Sequence, residues 1–196
     1  MSIGLIAQPW WVNFIILIPP LAGFSWRRGG VPLTARQLFF SGLFAAAFGF
    51  LEAVVVVYLR AAVGLLPGYQ GTLADVIRMS GDVYRQSQAI NQIPKSLLTL
   101  EVLREAATIF MLLSVALLTS TKSRARAAVF LWTFAVWDIV YYAALWATVR
   151  WPLSLSDPDV LFLIPVPWFS PVWFPLLVSA LALAAVLLVR VTPSKS

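Results

Sequence analysis

Apolar residues run along this chain in blocks rather than in strict alternation with polar ones. Five blocks, at roughly 5–24, 38–59, 97–119, 128–149 and 171–191, are each about 20 residues long, the length a helix needs to cross a hydrocarbon core about 30 Å thick. The pattern predicts an all-α fold, a polytopic membrane bundle of about five transmembrane helices forming a single integral membrane domain over 1–196. Pro9, Pro19 and Pro20 interrupt the first block. No Lys or Arg precedes its apolar run and no clean small-residue cleavage site follows, so it is read as a retained helix rather than a signal peptide.

Two segments between blocks carry patterns of their own. In TLADVIRMSGDVYRQSQAI, Leu73, Val76, Ile77, Val83, Tyr84 and Ile90 recur at helical spacing, while Asp75, Arg78, Asp82 and Arg85 form an alternating-sign ladder on another face. Thr72 and Asp75 suit its start and Pro94 its stop, which predicts an interfacial amphipathic helix. The segment WPLSLSDPDVLFLIPVPWFSPVWFP has an apolar centre too short to span, and Pro165 and Pro167 would break a helix there. It is expected to form a Pro/Trp-rich outer hairpin, interfacial or re-entrant, with Trp151, Trp168 and Trp173 at the headgroup level.

Composition strengthens the membrane reading: 61% of the 196 residues are hydrophobic and only 11% charged. The net charge of +6 is spread over short inter-block segments rather than massed on one face, so no nucleic-acid partner is expected. The lipid bilayer is the expected partner, the cell membrane the expected location. Orientation follows from the same residues. Arg27, Arg28 and Arg36, then Lys122, Arg124 and Arg126, then Arg190 and Lys195 fall on one side of a five-span chain, which predicts an outside N-terminus and an inside C-terminus. The eight acids lie within spans or in the two outer segments. The absence of Cys and His removes thiolate chemistry and the commonest metal ligand and general base, so no cofactor and no metal site is expected.

The acids inside the blocks change the picture further. GFLEAVVVVYLR places Glu52 about 12 Å below Arg60 along a helix. Measured likewise from Lys95, Glu101 and Glu105 lie about 9 and 15 Å deep, and from Arg150, Asp138 and Tyr142 lie about 18 and 12 Å deep. Glu101, Arg104 and Glu105 share one helix face by i, i+3, i+4 spacing, and Asp138, Tyr141 and Tyr142 share another. Gly42, Ala46, Gly49 and Ala53 form a small-residue stripe beside Glu52 that invites a neighbouring helix. Four uncompensated acids at such depth would cost on the order of 10 kcal/mol. Arg104 can pair with one, Arg60 can reach a second, and tyrosine hydroxyls can donate to others; a remaining acid needs a proton, water or a cation. An offset of 86 aligns Phe44, Phe48 and Glu52 with Phe130, Phe134 and Asp138, but the acids of the third block have no counterpart in the fifth, which weighs against a duplication.

These residues define the candidate ligand or proton site: Glu52, Glu101, Arg104, Glu105, Asp138, Tyr141 and Tyr142. The leading expectation is an outward-facing intramembrane site that binds or translocates a proton, a cation or a cationic solute, within a larger complex or alone. The alternative is a structural or assembly subunit of a membrane protein complex, in which the acids form an interhelical clamp. A second alternative is an intramembrane enzyme acting on a lipid-linked substrate, with a carboxylate as general base and Arg104 on a phosphate. No Walker loop, HExxH or nucleophile elbow is present, so no catalytic residue is assigned and enzymatic activity is left open.

Overall fold

The computed structural model of the protein describes residues 6–64 and 95–191. The amphipathic helix expected at 72–90 lies outside the described residues, as do the side chains of Arg60 and Lys95. What is described is mostly helical. A 3-10 segment, Trp10–Leu17, runs into α1 (Ile18–Trp26). Pro19 and Pro20 fall in the first turn of α1, where a missing N–H breaks no helical hydrogen bond. The prolines that interrupt the first apolar block thus mark a change of helix type. The long helices follow: α2 (Ala35–Gly64), α3 (Lys95–Thr119) and α4 (Ser123–Val149), with α5 (Trp173–Val189) closing the bundle.

Three helical stretches are long and apolar enough to cross a membrane: Ala35–Tyr58, Leu98–Thr119 and Ser123–Val149. The first and last helical units, Trp10–Trp26 and Trp173–Val189, are apolar but shorter. Large apolar side chains cover the outside, with Leu118 88% and Leu188 84% exposed, a surface that suits hydrocarbon better than water. These features fit a membrane protein.

Helix α4 is central: α2, α3 and α5 pack on it, and α1 packs on α5. The small-residue stripe of α2 does what its spacing predicts. Gly49 stands so close to α4 that a Cβ there would meet the Trp137 carbonyl oxygen at 2.5 Å, and a Cβ on Gly42 would meet Trp132 at 3.0 Å. Thr34 and Gln37 form a reciprocal capping box at the start of α2: the Gln37 N–H donates to Thr34 Oγ1 (3.1 Å) and the Thr34 N–H donates to Gln37 Oε1 (2.9 Å). Gln37 Nε2 then donates to the Thr119 carbonyl at 2.7 Å, satisfying the C-terminal end of α3 as well. At the same end, β1 (Val31–Pro32) pairs in parallel with β4 (Arg190–Val191), and Arg190 Nε donates to the Leu33 carbonyl at 2.9 Å.

At the opposite end the proline-rich segment forms an antiparallel hairpin, β2 (Pro158–Phe162) with β3 (Trp168–Pro171). It runs back into the bundle. Phe162 lies against Phe134 and Trp137 of α4, with ring centroids 6.5 and 6.4 Å away. Gln8 and Phe169 exchange two backbone hydrogen bonds of 2.8 Å, tying the hairpin to the chain before α1. Trp151, expected at the headgroup level, faces protein: only 3% exposed, it packs in a core cluster with Tyr142, Leu145 and Val149. Ala53 and Val56 of α2 and Val172 beside α5 complete the cluster that buries the indole.

Candidate functional site

Glu52 sits one helical turn beyond Gly49, where α2 and α4 approach most closely, and it faces protein: it is 7% exposed. Its partner comes from α3. The Arg104 Nη1 pairs with Glu52 Oε1 across the two helices, while Nε and Nη2 of the same guanidinium reach Glu101 Oε2 at 2.8 and 2.7 Å. One cation therefore serves two carboxylates, one by the i, i+3 relation within α3 and one between helices. Thr108, one turn further along, has its one hydroxyl proton within reach of two acceptors, Glu52 Oε2 at 3.4 Å and the Arg104 carbonyl at 3.1 Å. The charge-assisted bonds explain how α2 and α3 tolerate these acids in an apolar setting.

Glu105 uses a different partner. Its Oε2 accepts the Leu163 N–H at 2.7 Å, so the inner end of the hairpin, not another helix, holds this carboxylate. Glu105 also interacts electrostatically with Arg104, as does Tyr141 from α4. Tyr141 stacks on Trp137, whose ring touches Phe134 and Phe162. Glu52, Glu101, Arg104, Glu105 and Tyr141 thus form one group bounded by α2, α3, α4 and the hairpin. The Arg104 side chain is 22% exposed, while its Nη1 is buried.

Asp138 and Tyr142 form a second group. Sequence spacing puts Asp138, Tyr141 and Tyr142 on one face of α4, yet the surrounding elements divide them. Asp138 accepts from Ser179 Oγ of α5 at 2.7 Å, and Tyr142 donates to Asp159 Oδ2 of the hairpin at 2.6 Å. Asp159 Oδ1 accepts the Val160 N–H at 2.8 Å. Asp138, Tyr142 and Asp159 lie within electrostatic reach of one another. The two groups adjoin through Tyr141 and Tyr142, whose rings meet edge-on at 5.0 Å.

All seven residues of the candidate site are therefore placed in two adjoining polar groups. Sequence reasoning left out three further participants: Asp159, Ser179 and Thr108. Asp159 belongs to the proline-rich segment that forms β2, and nothing in its spacing tells that this segment turns inward. Ser179 and Thr108 had a usable signal, since each is a hydroxyl inside an apolar helix. Among the described residues, no three acidic side chains are placed to hold a metal ion together. No protein-family model, no curated protein and no solved structure matches this chain.

Proposed function

We propose that this is a multi-pass protein of the cell membrane whose carboxylate, arginine and tyrosine groups bind or translocate a proton, a cation or a cationic solute from the outer side. The observation that carries the reading is charge balance. Four carboxylates of the helices are buried, Glu52, Glu101, Glu105 and Asp138, and among the described residues Arg104 is the cation set against them. The hydrogen bonds that Ser179 gives Asp138 and the Leu163 N–H gives Glu105 supply dipoles but no compensating charge. A site with more acids than cations has a use for a positive species, and intramembrane acids commonly mark ion or proton pathways. In this reading the chain crosses the membrane five times with its N-terminus outside, and the hairpin descends from the outer face to close the site. Re-entrant backbone of this kind is tolerated where protein surrounds it.

Reconstitution into proteoliposomes with a trapped pH indicator tests the reading. An imposed membrane potential, or a gradient of Na⁺, K⁺ or a quaternary amine, should drive uptake by the wild type that Glu105→Gln and Asp138→Asn lose while both variants stay folded. Uptake unchanged in both folded variants would exclude the role of these acids.

A second reading has its own observation: every one of these carboxylates has a protein partner, which suits an interhelical clamp in an assembly subunit of a larger membrane complex. In that case both amide variants keep full function, and larger membrane proteins copurify in stable ratio.

A further inference from the structure

The basic end of the bundle carries charge that nothing on the described chain neutralises. Arg27, Arg28, Arg36, Lys122 and Arg124 are all exposed there, on the α1–β1 turn and at the starts of α2 and α4. The carboxylates among the described residues lie in the two polar groups or in the hairpin, at the other end of the helices. Two features go beyond a general scatter of positive charge. First, one cation is brought onto a basic turn: a Cβ on Gly29 would stand 2.5 Å from Arg124 Nη1, so this guanidinium lies against the turn that carries Arg27 and Arg28. By contrast, Arg126 and Arg190 at this end are engaged by the Ser120 and Leu33 carbonyls. Second, the rim charges sit at the apolar perimeter. Arg27 lies over the ring of Phe24 at 5.7 Å and Arg36 over that of Phe40 at 5.8 Å, and these rings are 72% and 56% exposed on the outer surface of the bundle. Guanidinium groups held above outward-facing aromatic rings stand where hydrocarbon gives way to headgroups.

We infer that this rim binds the phosphate of anionic phospholipids, with Arg28 and Arg124 as the clamp where the α1–β1 turn meets the start of α4 and Arg27 and Arg36 as flanking contacts. Guanidinium groups suit this role because their forked donors match phosphate oxygens in pairs. The phosphate of a lipid is favoured over a free anion because the flanking arginines are anchored on the lipid-facing perimeter rather than at the centre of the helix ends. The inference is independent of the carboxylate site and of which side of the membrane this end occupies.

Thermal unfolding followed by tryptophan fluorescence, in nanodiscs of phosphatidylglycerol against phosphatidylcholine, tests it. The wild type should melt several degrees higher in phosphatidylglycerol, and the difference should collapse in about 1 M salt, where the screening length falls to about 3 Å. Arg28→Gln and Arg124→Gln should each lose at least half of the difference, whereas Arg150→Gln, an equal charge change at the other end, should keep it. Because each protein is compared with itself in two lipids, a change in basal stability does not obscure the result. Equal melting in the two lipids, equal losses in all three variants, or the same stabilisation by inorganic phosphate in phosphatidylcholine discs would overturn the inference.

Discussion

Arg104 is the residue on which the first polar group turns, since among the described residues it is the one that joins α2 to α3 through opposite charge. Arg104→Ala would strand Glu52 and Glu101 in a dry environment and should cost roughly 3–5 kcal/mol, the range for a broken buried pair. Arg150→Ala removes an exposed guanidinium that rests on Trp146 and should cost about 0–1 kcal/mol. Thermal unfolding in detergent compares them, and equal shifts would contradict the pairing. Gly49→Ala should cost about 1–3 kcal/mol, because the new methyl meets a helix backbone that cannot move aside. Gly42→Ala should cost less, since its obstacle is the Trp132 side chain. At this scale the sequence was most informative where helical spacing governs. The faces of Glu101, Arg104 and Glu105, and the stripe beside Glu52, follow from a period of about 3.6 residues. The split of Asp138 from Tyr141 did not follow, because it depends on which neighbour each side chain meets, and Ser179 lies 41 residues from Asp138.

Among the elements, the helices were legible as apolar blocks, with the positions of α2 to α5 close to those expected; the exception is the first block, where the prolines produce a 3-10 entry into a short helix. The capping box of Thr34 and Gln37 was written in the sequence as T-x-x-Q before an apolar run. Gln37→Ala should lower stability by about 0.5–2 kcal/mol through the lost cap, and further through the lost bond to Thr119, as measured by unfolding of the variant against wild type. The hairpin was legible as a non-spanning, proline-broken segment, but its depth was not. That depth comes from long-range contacts of Phe162 and Leu163, which local composition does not encode. The chain has no Cys, so single cysteines report cleanly on it. A membrane-impermeant maleimide should label Ser156→Cys, which is exposed, much faster than Phe162→Cys. Equal rates would mean that the hairpin does not run into the bundle.

For the whole molecule, the proposed orientation rests on where the Lys and Arg residues fall relative to the spans. A reporter fused after Ser196 or within 121–126 should read cytoplasmic and one within 67–95 exoplasmic; an exoplasmic C-terminus would rule out five crossings with the N-terminus outside. In the proposed function the buried acids change their protonation or ligation rather than merely hold helices together. Infrared difference spectroscopy of the reconstituted protein reads carboxyl groups directly, across a pH jump and on addition of Na⁺, K⁺ or a quaternary amine. The account predicts a carboxyl difference band on at least one of these challenges, lost in Glu105→Gln or Asp138→Asn while the amide bands of the fold stay unchanged. Carboxyl bands that are silent to every challenge, or a difference band that survives in both variants, would contradict it and leave these acids as a clamp.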